Sequence, residues 1–208
     1  MAEQTRMRAA RGAASSASQE RRGGQPTPPG KARVGLTLAF LTGALVTVSI
    51  GLLERHMLAT PHPIPYFHLF FSDPLYMKAW LASATLALAF GQLVSGAAMY
   101  GWLRLTRASP FVHGVHRWSG RVAMALTLPV AINCLFELGV TPPDARVMVH
   151  AVVGAFIYGV FVVKLFLVRQ SYAPGWALPV AGSALFTTIL VLWLTSAYWL
   201  FGLYGVHL

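Results

Sequence analysis

Long apolar runs alternate with short polar segments along this 208-residue chain. The uncharged runs are residues 34–53, 79–103, 122–136, 147–163 and about 176–201. A helix needs about 20 apolar residues to cross the hydrocarbon core of a bilayer. The third run is shorter, but it reaches that length if Arg121 and Glu137 lie at the two membrane interfaces. The pattern predicts five transmembrane helices, at about residues 34–54, 77–103, 119–138, 146–168 and 176–203.

Composition supports a membrane protein. Hydrophobic residues make up 56% of the chain and charged residues 11%, whereas soluble domains carry about 25% charged residues. Aromatic residues also fall near the predicted helix ends, where their rings favour the membrane interface; these are Trp80, Tyr100, Trp102, Trp118, Trp176, Tyr198 and Trp199. The lone cysteine, Cys134, closes no internal disulfide. We therefore predict an all-α integral membrane bundle over residues 34–208.

Residues 1–33 differ from the rest of the chain. They hold seven of the sixteen Lys and Arg residues and almost no large apolar side chains. Such a segment buries too little surface to offset its ordering entropy. We predict a disordered basic arm on the cytoplasmic side, held near anionic lipid headgroups.

The basic residues also predict an orientation. With the N-terminus inside, thirteen Lys and Arg residues fall on the inner side and three, Arg55, Lys78 and Arg146, on the outer side. Cytoplasmic segments carry the excess of basic residues in membrane proteins. The bias therefore predicts the N-terminus in the cytoplasm and the C-terminus outside. It also explains the formal net charge of +10 without a nucleic-acid partner.

His150 is the main candidate for chemistry, because ionisable groups inside a membrane are costly unless they are paired or functional. At about 100° per residue, one face of the fourth helix carries His150, Gly154, Ile157, Phe161 and Lys164, and it is predicted to face the bundle. One interpretation of His150 is a haem iron ligand, with Gly154 leaving room for the porphyrin. Alternatively it forms a hydrogen bond to a neighbouring helix, or belongs to a metal site or a proton relay.

Hydrogen-bond partners for His150 in that second interpretation would be Asn133 or Glu137, near the end of the third helix. Five of the seven histidines are assigned to the outer side: His56, His62, His68, His150 and His207. The long outer loop could bring His68 over His150 to complete a haem or copper site. No pair of these histidines has a specific metal-binding spacing, so solvated loop histidines are the other interpretation.

His116 lies in the string His-Arg-Trp-Ser-Gly-Arg at residues 116–121. A histidine and two arginines at the inner interface can hold a lipid phosphate or a haem propionate, or can simply anchor the topology. His116 and His150 differ in depth by about 20 Å at 1.5 Å per helical residue, so they cannot bind the same iron. The other inner histidine, His113, is too close along the chain to bind the opposite side of a haem.

Small residues at helical spacing predict close helix contacts. These are Gly43, Thr47 and Gly51 in the first helix, Gly91 and Ser95 in the second, and Gly182, Ser183 and Thr187 in the fifth. Gln92 requires a polar partner inside the membrane. The sequence contains no phosphate-binding loop, catalytic triad or pair of transport carboxylates, and a small transporter would need broken helices and midplane charges.

Several strings resemble a family of uncharacterised multi-pass bacterial membrane proteins. They are Phe67 to Asp73 with Lys78-Ala79-Trp80, His116 to Arg121, Val149-His150-Ala151 with Tyr158-Gly159 and Lys164, Pro174 to Pro179, and Leu194 to Ala197. That family distantly resembles haem-b proteins of the cytochrome b and ferric-reductase type. The resemblance implies a bacterial plasma-membrane protein that binds haem b, with His150, His68 and His116 as candidate cofactor-binding residues. Asn133 stands where such relatives would carry a histidine opposite His150.

Two functions follow as expectations. The first is an electron-transfer subunit that holds one haem b near the outer face, with His150 as a ligand and a membrane redox partner. The alternative is a non-catalytic membrane subunit that binds lipids or partner proteins.

Overall fold

The computed structural model describes residues 29–59, 68–103, 109–138, 144–171 and 173–207. Of the predicted arm, residues 1–28 lie outside the described residues, and residues 29–33 belong to the first helix. The middle of the predicted outer loop, with His62, and the segment 104–108 also lie outside them.

All the regular secondary structure in the described residues is helical. The helices are α1 (Pro29–Ala59), α2 (Pro74–Met99), α3 (Pro110–Asn133), α4 (Ala145–Arg169), α5 (Ala177–Trp193) and α6 (Trp199–Tyr204). A π-helical segment, Cys134–Leu138, extends α3, and a second, Leu194–Tyr198, joins α5 to α6. Five continuous helices are long and apolar enough to cross a membrane, the fifth running from α5 through α6. The prediction of an all-α bundle with five membrane helices is confirmed, and the chain is a multi-pass membrane protein.

Aspartate caps set the starts of two helices. The Asp73 carboxylate accepts a hydrogen bond from the Leu75 amide at 2.6 Å, just before α2. Asp144 accepts one from the Arg146 amide at 3.3 Å, before α4. Such caps satisfy amide groups that have no partner inside the helix.

Helix α3 begins earlier than the apolar run indicates. It starts at Pro110, after Ser109 at the N-cap position, whereas the sequence places the start near residue 119. Proline favours the first helical position because it has no amide hydrogen to satisfy. His116 and Arg117 consequently lie within α3.

The helices form a ring. Helix α1 packs on α4, α4 on α5, α5 on α2 and α2 on α3, and the π-helical end of α3 returns to α1. Buried apolar side chains join α2, α4 and α5 at the centre, among them Leu86, Ile157, Leu185 and Ile189. We call the two ends of the bundle the His150 end, where α1, α3 and α6 finish, and the His116 end.

Glycines bring α1 and α4 together. A Cβ atom added to Gly43 would lie 2.7 Å from the Gly159 carbonyl oxygen, and one added to Gly159 would meet Thr47 and Gly43. The predicted close contact is therefore confirmed at Gly43 and Thr47. It is wrong for the other predicted glycines, Gly51, Gly91 and Gly182, because nothing lies within 4 Å of an added Cβ there.

Candidate functional site

A cavity of about 370 Å³ lies between the helices, and residues from all five membrane helices line it. It is open on the side of Leu128 and Ile132, which are exposed. Most of its walls are apolar and include Ile50, Leu128, Ile157 and Ile189. Small-molecule sites are typically mostly apolar cavities of about 300–1,000 Å³ with a few polar groups. The cavity therefore has the size and lining of a small-molecule site.

His150 lines this cavity, and its ring is oriented by Thr195 of the π-helical segment that follows α5. Its Nδ1 lies 2.9 Å from the Thr195 hydroxyl oxygen, and that hydroxyl donates to the Val191 carbonyl at 2.8 Å. Because the hydroxyl hydrogen is already used, we assign the hydrogen in the contact with His150 to Nδ1. The neutral ring then carries its lone pair on Nε2.

The other polar groups of the cavity use their hydrogens within the protein. Thr85 donates to Leu81 O at 2.8 Å, Thr127 to Met124 O at 2.7 Å, Tyr158 to Thr127 O at 3.2 Å, Ser196 to Leu192 O at 2.7 Å, and Trp193 Nε1 to Ser83 Oγ at 2.9 Å. Glu54 of α1, half-buried, also lines the cavity. These groups therefore present mainly lone pairs to an occupant.

Cationic side chains lie close to His150. Arg146 donates from Nη1 to the Thr195 carbonyl at 2.7 Å, and its guanidinium lies 3.9 Å from the centre of the Trp199 ring. Its Nε is 3.6 Å from an Asp144 carboxylate oxygen. Lys78 is buried near the start of α2, at the same end of the bundle. Thr195 lies in the π-helical segment, and such segments are frequent at functional sites.

Of the three predicted cofactor-binding residues, only His150 lines the cavity. Gly154 and Ile157 of its predicted helical face line it as well, but Phe161 packs in the apolar core instead. His68 is exposed before α2, and its Nδ1 lies 2.5 Å from the Phe71 carbonyl oxygen. The structure does not bring His68 to the cavity, and it places His116 at the other end of the bundle.

His116 links α2 to α3. Its Nδ1 lies 2.7 Å from the Ser95 hydroxyl, which donates to Gly91 O at 2.7 Å. Gln92 donates to the Ser119 hydroxyl at 2.7 Å and also to the His116 carbonyl. The predicted need of Gln92 for a polar partner is thereby met.

Asn133 does not bind His150. It is fully buried, and its amide donates to Pro129 O in the same helix at 3.1 Å. Its Oδ1 has no hydrogen-bond partner in the part of the chain that the structure describes. The side chain of Glu137, the other predicted partner, lies outside the described residues.

Sequence reasoning missed Thr195, Glu54 and Tyr158. Thr195 and Tyr158 are polar residues inside apolar runs, and Glu54 directly follows the uncharged run 34–53. Each was therefore visible as a polar interruption, although its partner was not. Within the described ranges, no group of three or more His, Cys, Asp or Glu side chains is arranged to hold a metal ion.

The chain belongs to DUF6529, a family of unknown function, whose model matches residues 36–208. No curated protein and no solved structure matches the chain. The predicted resemblance to an uncharacterised family is in agreement with this membership. The more distant resemblance to haem-b proteins stays a prediction.

Proposed function

We propose that this membrane protein binds an apolar small molecule in the cavity between its five helices, with His150 contacting the polar end of that molecule. The observation that carries the proposal is the placement of His150. It lines an apolar cavity, and its Nδ1 is bound by Thr195. The free lone pair on Nε2 is then available to an occupant.

The free-energy cost of placing ionisable side chains inside a membrane supports the proposal. An ionisable residue inside a membrane helix is expensive and marks a functional site by default. Both His150 and Glu54 line the same cavity. Packing alone would be served as well by apolar residues at these two positions.

Filling the cavity tests the proposal. Gly154 lines the cavity, and an added Cβ there would come no closer than 3.9 Å to Leu192, so Gly154→Leu places new methyl groups in the open space. Gly91→Leu is the matched control, because Gly91 is exposed on α2 with nothing within 4 Å of an added Cβ. Native mass spectrometry of the protein purified from membranes would compare small molecules retained by each variant.

We expect a retained molecule on the wild-type protein and on Gly91→Leu, and its loss from Gly154→Leu. The proposal would be contradicted if all three proteins, folded alike by circular dichroism, carried the same molecules after an added apolar ligand had been offered to each.

Haem b is a second candidate occupant, favoured by the imidazole lone pair and the neighbouring cations. His150 Nε2 would bind the iron, and Arg146 and Lys78, which lie at the same end of the bundle, would neutralise the propionates. Haem bound in this way supplies one-electron transfer, which is the electron-transfer function expected from the resemblance. The protein's own contribution would be to orient the imidazole through Thr195.

A reduced-minus-oxidised absorption spectrum tests this second candidate. Haem b bound through His150 predicts a haem band that is lost in His150→Ala, and carbon monoxide binding to the reduced protein, since His68 and His116 lie away from the cavity. A flat spectrum after expression with added haem would exclude haem and leave other apolar occupants to be tested.

For the location of the protein, we propose a bacterial plasma membrane with the His116 end in the cytoplasm and the His150 end outside. The thirteen-to-three distribution of basic residues supports this orientation. In the same arrangement the cavity lies nearer the outer face, where a redox partner or a second membrane subunit would reach it.

A further inference from the structure

Almost all the hydrogen-bond donors that line the cavity already donate to other groups of the protein. The four lining hydroxyls, those of Thr85, Thr127, Tyr158 and Ser196, each donate to a backbone carbonyl. The indole of Trp193 donates to Ser83. The thiol of Cys134, which also lines the cavity, is a weak donor.

What these groups still offer is lone pairs. Nε2 of His150 is an acceptor in the tautomer that Thr195 selects, and a hydroxyl that has donated its hydrogen can still accept. The Glu54 carboxyl accepts hydrogen bonds when it is ionised and can also donate one when it is protonated. A ligand whose ketone, ether or ester oxygen faced Nε2 of His150 would therefore place a lone pair against a lone pair and leave both buried atoms unpaired.

The polar groups are also placed unevenly. Glu54 and His150 lie toward the His150 end, whereas the deeper lining combines Ile157 and Ile189 with the hydroxyls of Thr85, Thr127 and Tyr158, whose hydrogens are already donated within the protein. At 1.5 Å per residue, Ile157 is about 10 Å deeper along α4 than His150. An occupant with one polar end and an apolar body fits this distribution.

From these observations we infer that the occupant is a lipophile whose polar end carries a hydroxyl group, as in a phenol or an alcohol, and that this hydroxyl donates to Nε2 of His150. The inference rests on the proposed function and specifies the ligand class. It is a non-covalent recognition step, in which the ligand supplies the hydrogen that Nε2 of His150 accepts.

A matched pair of ligands tests the inference: 4-octylphenol and its methyl ether. The ether carries a methyl group in place of the hydroxyl hydrogen and keeps the oxygen and the apolar body. Equilibrium dialysis in detergent would measure both ligands on the wild-type protein, on His150→Phe and on Gly154→Leu. Gly154→Leu reports partition into the micelle, because its cavity is filled.

We expect the wild-type protein to bind the phenol about tenfold more tightly than the ether, which corresponds to about 1.4 kcal/mol. In His150→Phe the two ligands should bind equally, because the ring shape is kept and the lone pair is lost. Equal affinities in the wild-type protein, or tighter binding of the ether, would overturn the inference while the cavity still binds apolar molecules.

Two further outcomes separate the inference from the proposed function. If the wild-type protein and Gly154→Leu took up the two ligands to the same extent, both the inference and the proposed function would be overturned. Haem b bound to His150 in the purified protein would overturn the hydroxyl inference alone, because the iron would then occupy the Nε2 lone pair.

Discussion

Nδ1 of His150 on α4 lies 2.9 Å from the hydroxyl oxygen of Thr195, which is 45 residues further along the chain in the π-helical segment. The same arrangement recurs at the opposite end of the bundle, where Nδ1 of His116 lies 2.7 Å from the Ser95 hydroxyl. In both pairs the hydroxyl donates to a carbonyl of its own helix. The same tautomer is therefore assigned to both rings, and of the two histidines only His150 lines the cavity.

Replacing Thr195 with valine should weaken ligand binding without filling the cavity. Thr195→Val keeps the shape of the side chain but removes the acceptor for His150 Nδ1–H, so the ring is no longer fixed. We expect 4-octylphenol to bind several-fold more weakly and the free energy of unfolding to fall by about 1 kcal/mol.

Thr187→Val is the matched control for that change, because Thr187 is exposed on α5. It should leave both the dissociation constant and the denaturation midpoint unchanged. An equal loss of binding in the two variants would contradict the role assigned to Thr195.

A larger residue at Gly159 should separate α1 from α4. A Cβ atom there would lie 2.5 Å from the Gly43 carbonyl oxygen, and backbone has little freedom to move away. Gly159→Leu should lower the free energy of unfolding in detergent by about 3 kcal/mol or prevent folding. Gly159→Ala gives a milder form of the same test.

Gly182→Ala serves as the control for the α1–α4 contact. Nothing lies within 4 Å of an added Cβ at Gly182 on α5, and alanine favours helix more than glycine does. Gly182→Ala should therefore be neutral or slightly stabilising. Equal destabilisation by Gly159→Ala and Gly182→Ala would contradict the conclusion that α1 and α4 pack closely at Gly159.

Removing Arg146 should loosen the last turns of the fifth membrane helix. Its guanidinium binds the Thr195 carbonyl and stacks on Trp199. Arg146→Gln should lower the free energy of unfolding by about 1–2 kcal/mol and speed proteolysis near residues 199–207. Arg121→Gln is the control, since Arg121 is exposed and lies 4.9 Å from the Trp118 ring centre.

The proposed orientation predicts which introduced thiols react from outside the cell. In a Cys134→Ser background, Val206→Cys should react with a membrane-impermeant maleimide on intact cells. Ser16→Cys in the basic arm should react only after the cells are opened. The reverse pattern would place the His150 end in the cytoplasm.

The sequence was sufficient to predict the membrane helices, because an uncharged apolar run of about 20 residues is characteristic of a helix that spans a membrane. It misplaced the start of α3 because the nine residues 110–118 carry His113, His116 and Arg117 among their apolar residues and so resemble a loop. The face of α4 with His150 and Gly154 followed from the 100° helical period.

The partner of His150 did not follow from that period. Thr195 meets His150 only because α4 packs on α5, and the order of helices around a ring is set by the sum of their contacts. The same reason explains the glycines: spacing marks Gly43 and Gly51 alike, yet only Gly43 meets α4. Local sequence patterns thus predict which residues share a face of a helix, whereas the packing of the helices determines which residues that face contacts.

The most direct test of the central claim is to locate a bound ligand by photo-cross-linking. An octylphenol carrying a diazirine on its chain would be irradiated with the purified protein, and labelled residues would be identified by peptide mass spectrometry. Binding in the cavity predicts labels on buried lining residues such as Ile157 and Ile189, suppressed by excess octylphenol and by Gly154→Leu. Labels confined to exposed positions such as Phe40 and Val152, with no competition, would contradict it.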